Sequence, residues 1–190
     1  MSPTEDSGSR AQAQAAFQAF WKGDRKNCFV MERSTEYCDC DVFLAGLASR
    51  IGLIARVILI QISRCIPPCA LKVAVLRLTG MQIGRDVYIA PGVVIDPLWP
   101  CLIELGDSVI LGMGCRLLTH EYSAKQFRIG RIRIGDRSVI GAGATVRCGV
   151  TIGQRATVGC NSFVNTDVGA DETVGGVPAK PLAGPEGKTA

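Results

Sequence analysis

The stretch Ile134-GDRSV-Ile140-GAGAT-Val146-RCGVT-Ile152-GQRAT-Val158-GCNSF-Val164 decides the fold. An aliphatic residue returns at every sixth position. Glycine follows it at Gly135, Gly141, Gly153 and Gly159, and a small or β-branched residue stands four places on at Ser138, Ala144, Val150, Ala156, Ser162 and Val168. A helix repeats at 3.6 residues and a strand at 2, so neither generates six. A chain that lays down one short strand, turns a corner and repeats does generate six, and this is the hexapeptide signature of a parallel β-helix. The expected class is all-β, a solenoid of roughly four coils with the ladder residues pointing inward.

Upstream the ladder continues with two interruptions. Ile83, Ile89 and Ile95 form one run, and Leu105, Leu111 and Leu117 form another, with Gly84, Gly106 and Gly112 in second place. Between Ile95 and Leu105 the segment Pro97-Leu98-Trp99-Pro100 reads as an outward turn. Leu117 to Ile134 is seventeen residues, so a loop leaves the repeat between Thr119 and Arg133. A solenoid spends its regular coils on burying its own core, and its chemistry tends to sit where the chain departs from the repeat.

Composition bounds the rest. The 190 residues make one domain with at most a small appendage, and 47% apolar content supports a real core. A net charge of +4 without an aromatic-interleaved basic stripe argues against nucleic acid but tolerates a phosphorylated cofactor. Nine cysteines without a signal peptide point to a reducing cytosol. Cys38-Asp39-Cys40 and Cys65-Ile66-Pro67-Pro68-Cys69 resemble half a zinc site, but one histidine and no second paired motif argue against a metal. Cys115, Cys148 and Cys160 fall inside hexads and read as small core or groove residues.

The flanks divide the chain into 1–78, a polar tail and amphipathic helical cap; 79–183, the β-helix; and 184–190, a flexible tail. Residues 1 to about 10 are polar, and Ala11 to Trp21 suggests a short helix. From Val42 to Leu78 the chain is apolar but interrupted by Arg50, Arg56, Arg64, Lys72 and Arg77, with Pro67-Pro68 in the middle. Its uncharged runs fall short of the ~20 residues of a membrane span. Two amphipathic helices are expected, either capping the open end of the solenoid or lying on a membrane surface. After Val174 the Gly- and Pro-rich GGVPAKPLAGP ends the repeat.

His120, the sole histidine, lies on the last hexad before the seventeen-residue slip. It holds the fourth, outward place of Leu117-Leu118-Thr119-His120-Glu121-Tyr122, and Glu121 occupies the fifth, where other hexads carry something small. The core cannot close normally there. Lone histidines are often structural, but an imidazole at the base of a loop suits a general base, because histidine as a residue type titrates near neutral pH.

The run Thr119-His120-Glu121-Tyr122, the loop, Ile134-Gly135-Asp136, the ladder and Val174-Gly175-Gly176-Val177-Pro178-Ala179-Lys180 together resemble the hexapeptide-repeat acyltransferases. The likeness is to the maltose and galactoside O-acetyltransferases and the sugar O-acetyltransferases of polysaccharide gene clusters, and covers residues 75 to 183. It implies a left-handed parallel β-helix, a homotrimer, and acetyl-CoA as acyl donor in the groove between subunits. It implies that His120 deprotonates an acceptor hydroxyl, which attacks the thioester directly. Asp96 matches a polar residue that contacts the acceptor, and Glu121 is a weaker candidate for the acceptor side or for orienting His120. Ala142, Cys160 and Asn165 match pantetheine contacts, and Lys180 matches a basic residue near the nucleotide phosphates. Asn165-Thr166 stands where the family often has Thr-Lys, which shifts phosphate charge onto Lys180. Asp107 and Asp136 follow aliphatic-Gly pairs and read as corner residues.

Three functions remain open: O-acetylation of a saccharide or related small acceptor, N-acetylation of an amino sugar, and a non-catalytic scaffold. A carbonic-anhydrase-like reading needs three histidines and fails on one. The expected location is the cytoplasm, with peripheral membrane contact through residues 42–78 as an option.

Overall fold

Each regular hexad delivers one two-residue strand and one four-residue corner in the computed structural model, which describes residues 15–20, 28–32, 50–123 and 126–182. The strands sort into three parallel sheets visited in turn. The first holds β2 (Gln82–Ile83), β5 (Ile103–Leu105), β10 (Ile132–Ile134) and β13 (Thr151–Ile152). The second holds β3 (Tyr88–Ile89), β6 (Ile110–Leu111), β11 (Val139–Ile140), β14 (Thr157–Val158) and β16 (Thr173–Gly175), closed by the antiparallel β17 (Lys180–Pro181). The third holds β4 (Val94–Ile95), β7 (Arg116–Leu117), β12 (Thr145–Val146) and β15 (Phe163–Val164).

The register explains the period of six. Ile83 pairs with Leu105, Leu105 with Ile134 and Ile134 with Ile152, so identical hexad positions stack. The ladder residues all point into one core, where Leu111, Leu117, Ile140 and Val146 are fully buried. Burying each such side chain is worth about 1.5–3 kcal/mol before entropy is charged against it.

Corners have their own logic. The fourth hexad position takes a positive φ at Asp86, Ser108, Arg137, Arg155 and Asn161, and at Gly92, Gly114, Gly143 and Gly149. The second position is glycine for a different reason: a Cβ on Gly141 would lie 2.6 Å from the Cys160 nitrogen of the next pass. After Val164 the ladder shortens. Val168, four places past the ladder residue Val164, bridges Ile152 in the first sheet's column.

Both slips differ from a simple loop. The first forms a 3-10 turn (Pro100–Leu102) and, contrary to an outward turn, buries Trp99 and Pro100. The second is a hairpin of β8 (His120–Tyr122) and β9 (Gln126–Gly130). A strand the sequence did not announce, β1 (Cys28–Glu32), adds antiparallel to β9. These pieces enclose a second core of Phe17, Phe20, Trp99, Leu102, Phe127 and Ile129. Phe17 and Phe20 lie on α1, a helix over residues 15–20 within the expected Ala11–Trp21 segment.

Two further helices flank Pro67-Pro68: α2 (Arg50–Cys65) and α3 (Ala70–Leu78). Ile60 and Leu76 join the ladder core, and Lys72 Nζ donates to the Ala90 carbonyl at 3.0 Å, which ties the helices to the first pass. Among the described residues no helix is long and apolar enough to cross a membrane. Residues 1–14, 42–49 and 183–190, on which parts of the expected tails and helices fall, lie outside the described residues, as do Cys38 and Cys40.

Candidate active site

Both slips occur at the same corner, on stacked passes. Ile95 pairs with Leu117 across β4 and β7, and the Asp96 N–H donates to the Leu117 carbonyl at 3.1 Å. Asp96 therefore comes to lie against the residues that follow Leu117. At His120, three residues past the ladder, the left-handed turn of the other hexads is absent and the backbone runs on as β8.

The Asp96 carboxylate is 1% exposed and fully engaged. Oδ1 accepts the Leu98 N–H at 3.0 Å, and Oδ2 accepts the backbone N–H of Thr119 at 3.0 Å and of His120 at 3.2 Å. Oδ2 also meets His120 Nδ1 at 2.5 Å. Burial pushes the carboxyl pKa up, but the His120 hydrogen bond, the imidazole charge and the Leu98 and Thr119 donors outweigh it, holding the group below the ordinary aspartate value. An ionised carboxylate only accepts, so Nδ1 carries a proton, and in the neutral imidazole this leaves the lone pair on Nε2. The imidazole is 23% exposed, enough for an atom to reach it from solvent.

Aromatic rings fix its plane. Trp99 stands edge-on at 5.3 Å and Tyr122 at 5.8 Å between ring centroids, with Phe127 at 6.5 Å. Trp99 comes from the first slip; Tyr122 and Phe127 are partners across the hairpin. Two buried polar atoms at this corner, Trp99 Nε1 and Thr119 Oγ1, have no hydrogen-bond partner. Such a frame holds a side chain in one rotamer, the condition for a positioned acid or base.

Two expectations change here. Acceptor contact by Asp96 does not fit a carboxylate buried behind His120 with both oxygens occupied; its position makes it the residue that orients the imidazole. Glu121 does not orient His120, because its carboxylate takes both Arg147 Nε at 2.5 Å and Nη2 at 3.0 Å. That half-buried pair fastens β8 to the next pass. Arg147, Trp99 and Phe127 were not singled out from sequence. Arg147 stands one past a ladder residue, where only the stacking shows that it faces Glu121.

The residues matched to acyl-CoA contacts fall into two groups flanking the third sheet. Ala142 and Cys160 are exposed and stack at one corner, where the Asn161 N–H donates to the Ala142 carbonyl. Lys180, exposed on β17, pairs with Gly175 of the adjoining strand β16. Asn165 and Thr166 sit at the other corner, in the columns of Arg147 and Cys148 and, one pass further down, of Leu118 and Thr119, next to His120 in the chain. A single chain thus places Asn165 and Thr166 on the same edge as the His120 corner and leaves Ala142, Cys160 and Lys180 on the far edge. Asp107 and Asp136 are corner residues: Asp107 pairs with Arg85, and Asp136 accepts the Asp107 N–H. Among the described residues no three His, Cys, Asp or Glu side chains converge as a metal site, and Cys65 and Cys69 are free.

Comparison with known proteins agrees with this architecture. Residues 131–166 match the family model described as the hexapeptide repeat of succinyl-transferase. The chain is 35% identical over 129 residues to YvoF of Bacillus subtilis (strain 168), assigned as an acetyltransferase, covering 67% of this chain and 75% of that protein. The hexapeptide-repeat-containing acetyltransferase VCA0836 of Vibrio cholerae superposes with a TM-score of 0.61 at 27% identity, covering 75% of this chain and 97% of that one. The same Vibrio protein complexed with acetyl coenzyme A gives a TM-score of 0.61 at 24% identity, covering 78% and 92%. A maltose O-acetyltransferase of Clostridium difficile 630 shares the fold at a TM-score of 0.54 and 18% identity, over 70% of this chain and 88% of that one. With the hexad ladder, the stacked slips and a relative matched over three quarters of its length, the chain belongs to the hexapeptide-repeat acetyltransferases and is an enzyme of that family.

Proposed function

We propose that the protein transfers an acetyl group from acetyl-CoA to a hydroxyl of a saccharide or similar small acceptor, with His120 as general base. The observation that carries this reading is the Asp96–His120 pair, with Nδ1 tied to a buried carboxylate and Nε2 left to accept a proton. The acceptor O–H gives its proton to Nε2 as its oxygen attacks the thioester carbonyl. The tetrahedral intermediate collapses, the C–S bond breaks, and the proton passes to the departing thiolate. A base within reach is worth about 10²- to 10⁴-fold, and positioning of the two substrates supplies much of the rest.

In this reading the three sheets are the faces of a left-handed parallel β-helix spanning residues 79–183, with 1–78 as tail and cap and 184–190 as tail. Three copies assemble, and acetyl-CoA lies in the groove between neighbours. Assembly gives the separated residues a use: Asn165 and Thr166 of one subunit flank the thioester near His120, while Ala142, Cys160 and Lys180 at the far edge serve the neighbouring groove, Lys180 against the nucleotide phosphates. The Vibrio protein's complex with acetyl coenzyme A supports the donor, and the maltose enzyme's fold supports a saccharide acceptor. A cytoplasmic location is supported by the free state of all seven described cysteines.

The test is thiol release from acetyl-CoA across a panel of sugars and amino sugars, with mass analysis of the product. Expected is one added acetyl group that mild alkali removes, the mark of an ester. An alkali-stable product assigns N-acetylation. No thiol release with any member of the panel overturns the saccharide reading.

A further inference from the structure

We infer that the outer face of α2 is a docking surface for an anionic lipid bilayer. On a surface helix the solvent face is ordinarily polar. Here Ile54, Ile58 and Ile62, spaced four apart on one stripe, are 59%, 51% and 49% exposed. The opposite side carries the residues that pack inward, Ile60 and Ser63. On α3, Leu71 and Leu78, seven apart, are also exposed. The outward stripe is thus apolar where a solvent face would be polar, and among the described residues nothing covers it.

Charge selects the occupant. From Arg50 to Arg85 the chain carries Arg50, Arg56, Arg64, Lys72, Arg77 and Arg85 and no aspartate or glutamate. Lys72 is buried, and Arg85 is paired with Asp107. Arg64 and Arg77 are exposed and bond only to neutral oxygens. Exposed isoleucines on a segment whose exposed arginines have no acidic partner fit an acyl-chain boundary beneath anionic headgroups. A second copy meeting this face by two-fold symmetry would bring like charges together. At 16 residues α2 is about 24 Å long, suited to lying on a bilayer rather than crossing it. The inference holds whichever acceptor the enzyme uses.

Flotation of the intact chain with vesicles tests it. Vesicles of equal parts phosphatidylcholine and phosphatidylglycerol should carry the protein, and pure phosphatidylcholine should carry about tenfold less. Salt at ~0.5 M, which shortens the screening length to roughly 4 Å, should release much of it. The double variant Ile54→Glu/Ile58→Glu should lose about tenfold in partitioning with unchanged melting temperature and thiol-release activity on a water-soluble acceptor. If that variant unfolds, Ile58→Ser serves in its place, with an expected loss of about threefold. Equal partitioning of the wild type onto both vesicle types overturns the inference. So does a folded variant that keeps its vesicle binding but sediments as a smaller assembly, which would assign the face to a second copy.

Discussion

Replacing Asp96 by Asn removes one charge from the corner while leaving its shape. The carboxylate serves four donors: Leu98 N–H on Oδ1, and Thr119 N–H, His120 N–H and His120 Nδ1 on Oδ2. An asparagine has one acceptor oxygen and one NH2. Turned with its oxygen toward His120, it leaves the Leu98 N–H facing another donor. Turned the other way, it opposes both backbone N–H groups of Thr119 and His120. One orphaned donor costs about 1–3 kcal/mol and two cost about twice that, so the first orientation wins. The Nδ1 proton then survives, and the imidazole keeps its place. What is lost is the negative charge that steadies the imidazolium as the proton arrives, a charge-assisted bond replaced by a neutral one. That difference of about 1–2 kcal/mol corresponds to roughly 5–30-fold in kcat. Stability should fall by about 1–3 kcal/mol, or about 2–12 °C in Tm for a chain of this size. Thiol-release kinetics and a thermal melt read both numbers. A kcat within threefold of wild type would refute the orienting role. A raised acceptor KM at unchanged kcat would return Asp96 to the acceptor.

Other outcomes follow from the same geometry. Because the Asp96 carboxyl lies below its unfolded value, its stabilisation is complete above about pH 4 and is lost as pH falls through the lower folded value; the acid limb of a stability profile should therefore be shallower in Asp96→Asn. Gly141→Ala places a Cβ 2.6 Å from the Cys160 nitrogen and should cost about 1–3 kcal/mol or more by overpacking. Gly114→Ala, at φ +67 with nothing within 4 Å, should cost only about 1–2 kcal/mol of backbone strain, and comparative melts separate the two mechanisms. Arg147→Gln leaves Glu121 without its half-buried partner; it should lower stability by about 1 kcal/mol and cut kcat by loosening β8, and an unchanged kcat would show that the pair only fastens the strand. Cys28 is held down to about 7, first by the hydrogen bond from Cys148, against burial and with help from Arg128 and Arg147. Its alkylation rate should therefore rise with a midpoint near pH 7, and Cys148→Ala should move that midpoint upward.

The hexads made the ladder legible because a period of six places one residue of each in a single column, and every ladder residue from Ile83 to Val164 is buried. His120 stood out because it occupies a position where the repeat breaks. What sequence spacing did not convey was stacking. Asp96 and His120 are 24 residues apart, and only the pairing of Ile95 with Leu117 shows that the two slips share a corner. Without that register Asp96 read as an acceptor contact and Glu121 as a neighbour of His120. The strand Cys28–Glu32 was invisible for a related reason: its partner β9 lies about a hundred residues away, and five residues carry no period that names it. Trp99 was hidden by its prolines, which signal a turn and say nothing of the second core beneath.

The measurement that bears most directly on the mechanism is turnover of His120→Ala with acetyl-CoA and the best acceptor of the panel, beside its thermal melt. Losing the imidazole takes one of four donors from the buried Asp96 carboxylate, so the melt should show a loss of about 1–3 kcal/mol in a chain that still folds. Acetyl-CoA affinity should stay near wild type while kcat drops by about two to four decades. A folded variant whose turnover stays within threefold of wild type would contradict the assignment of His120 as the base.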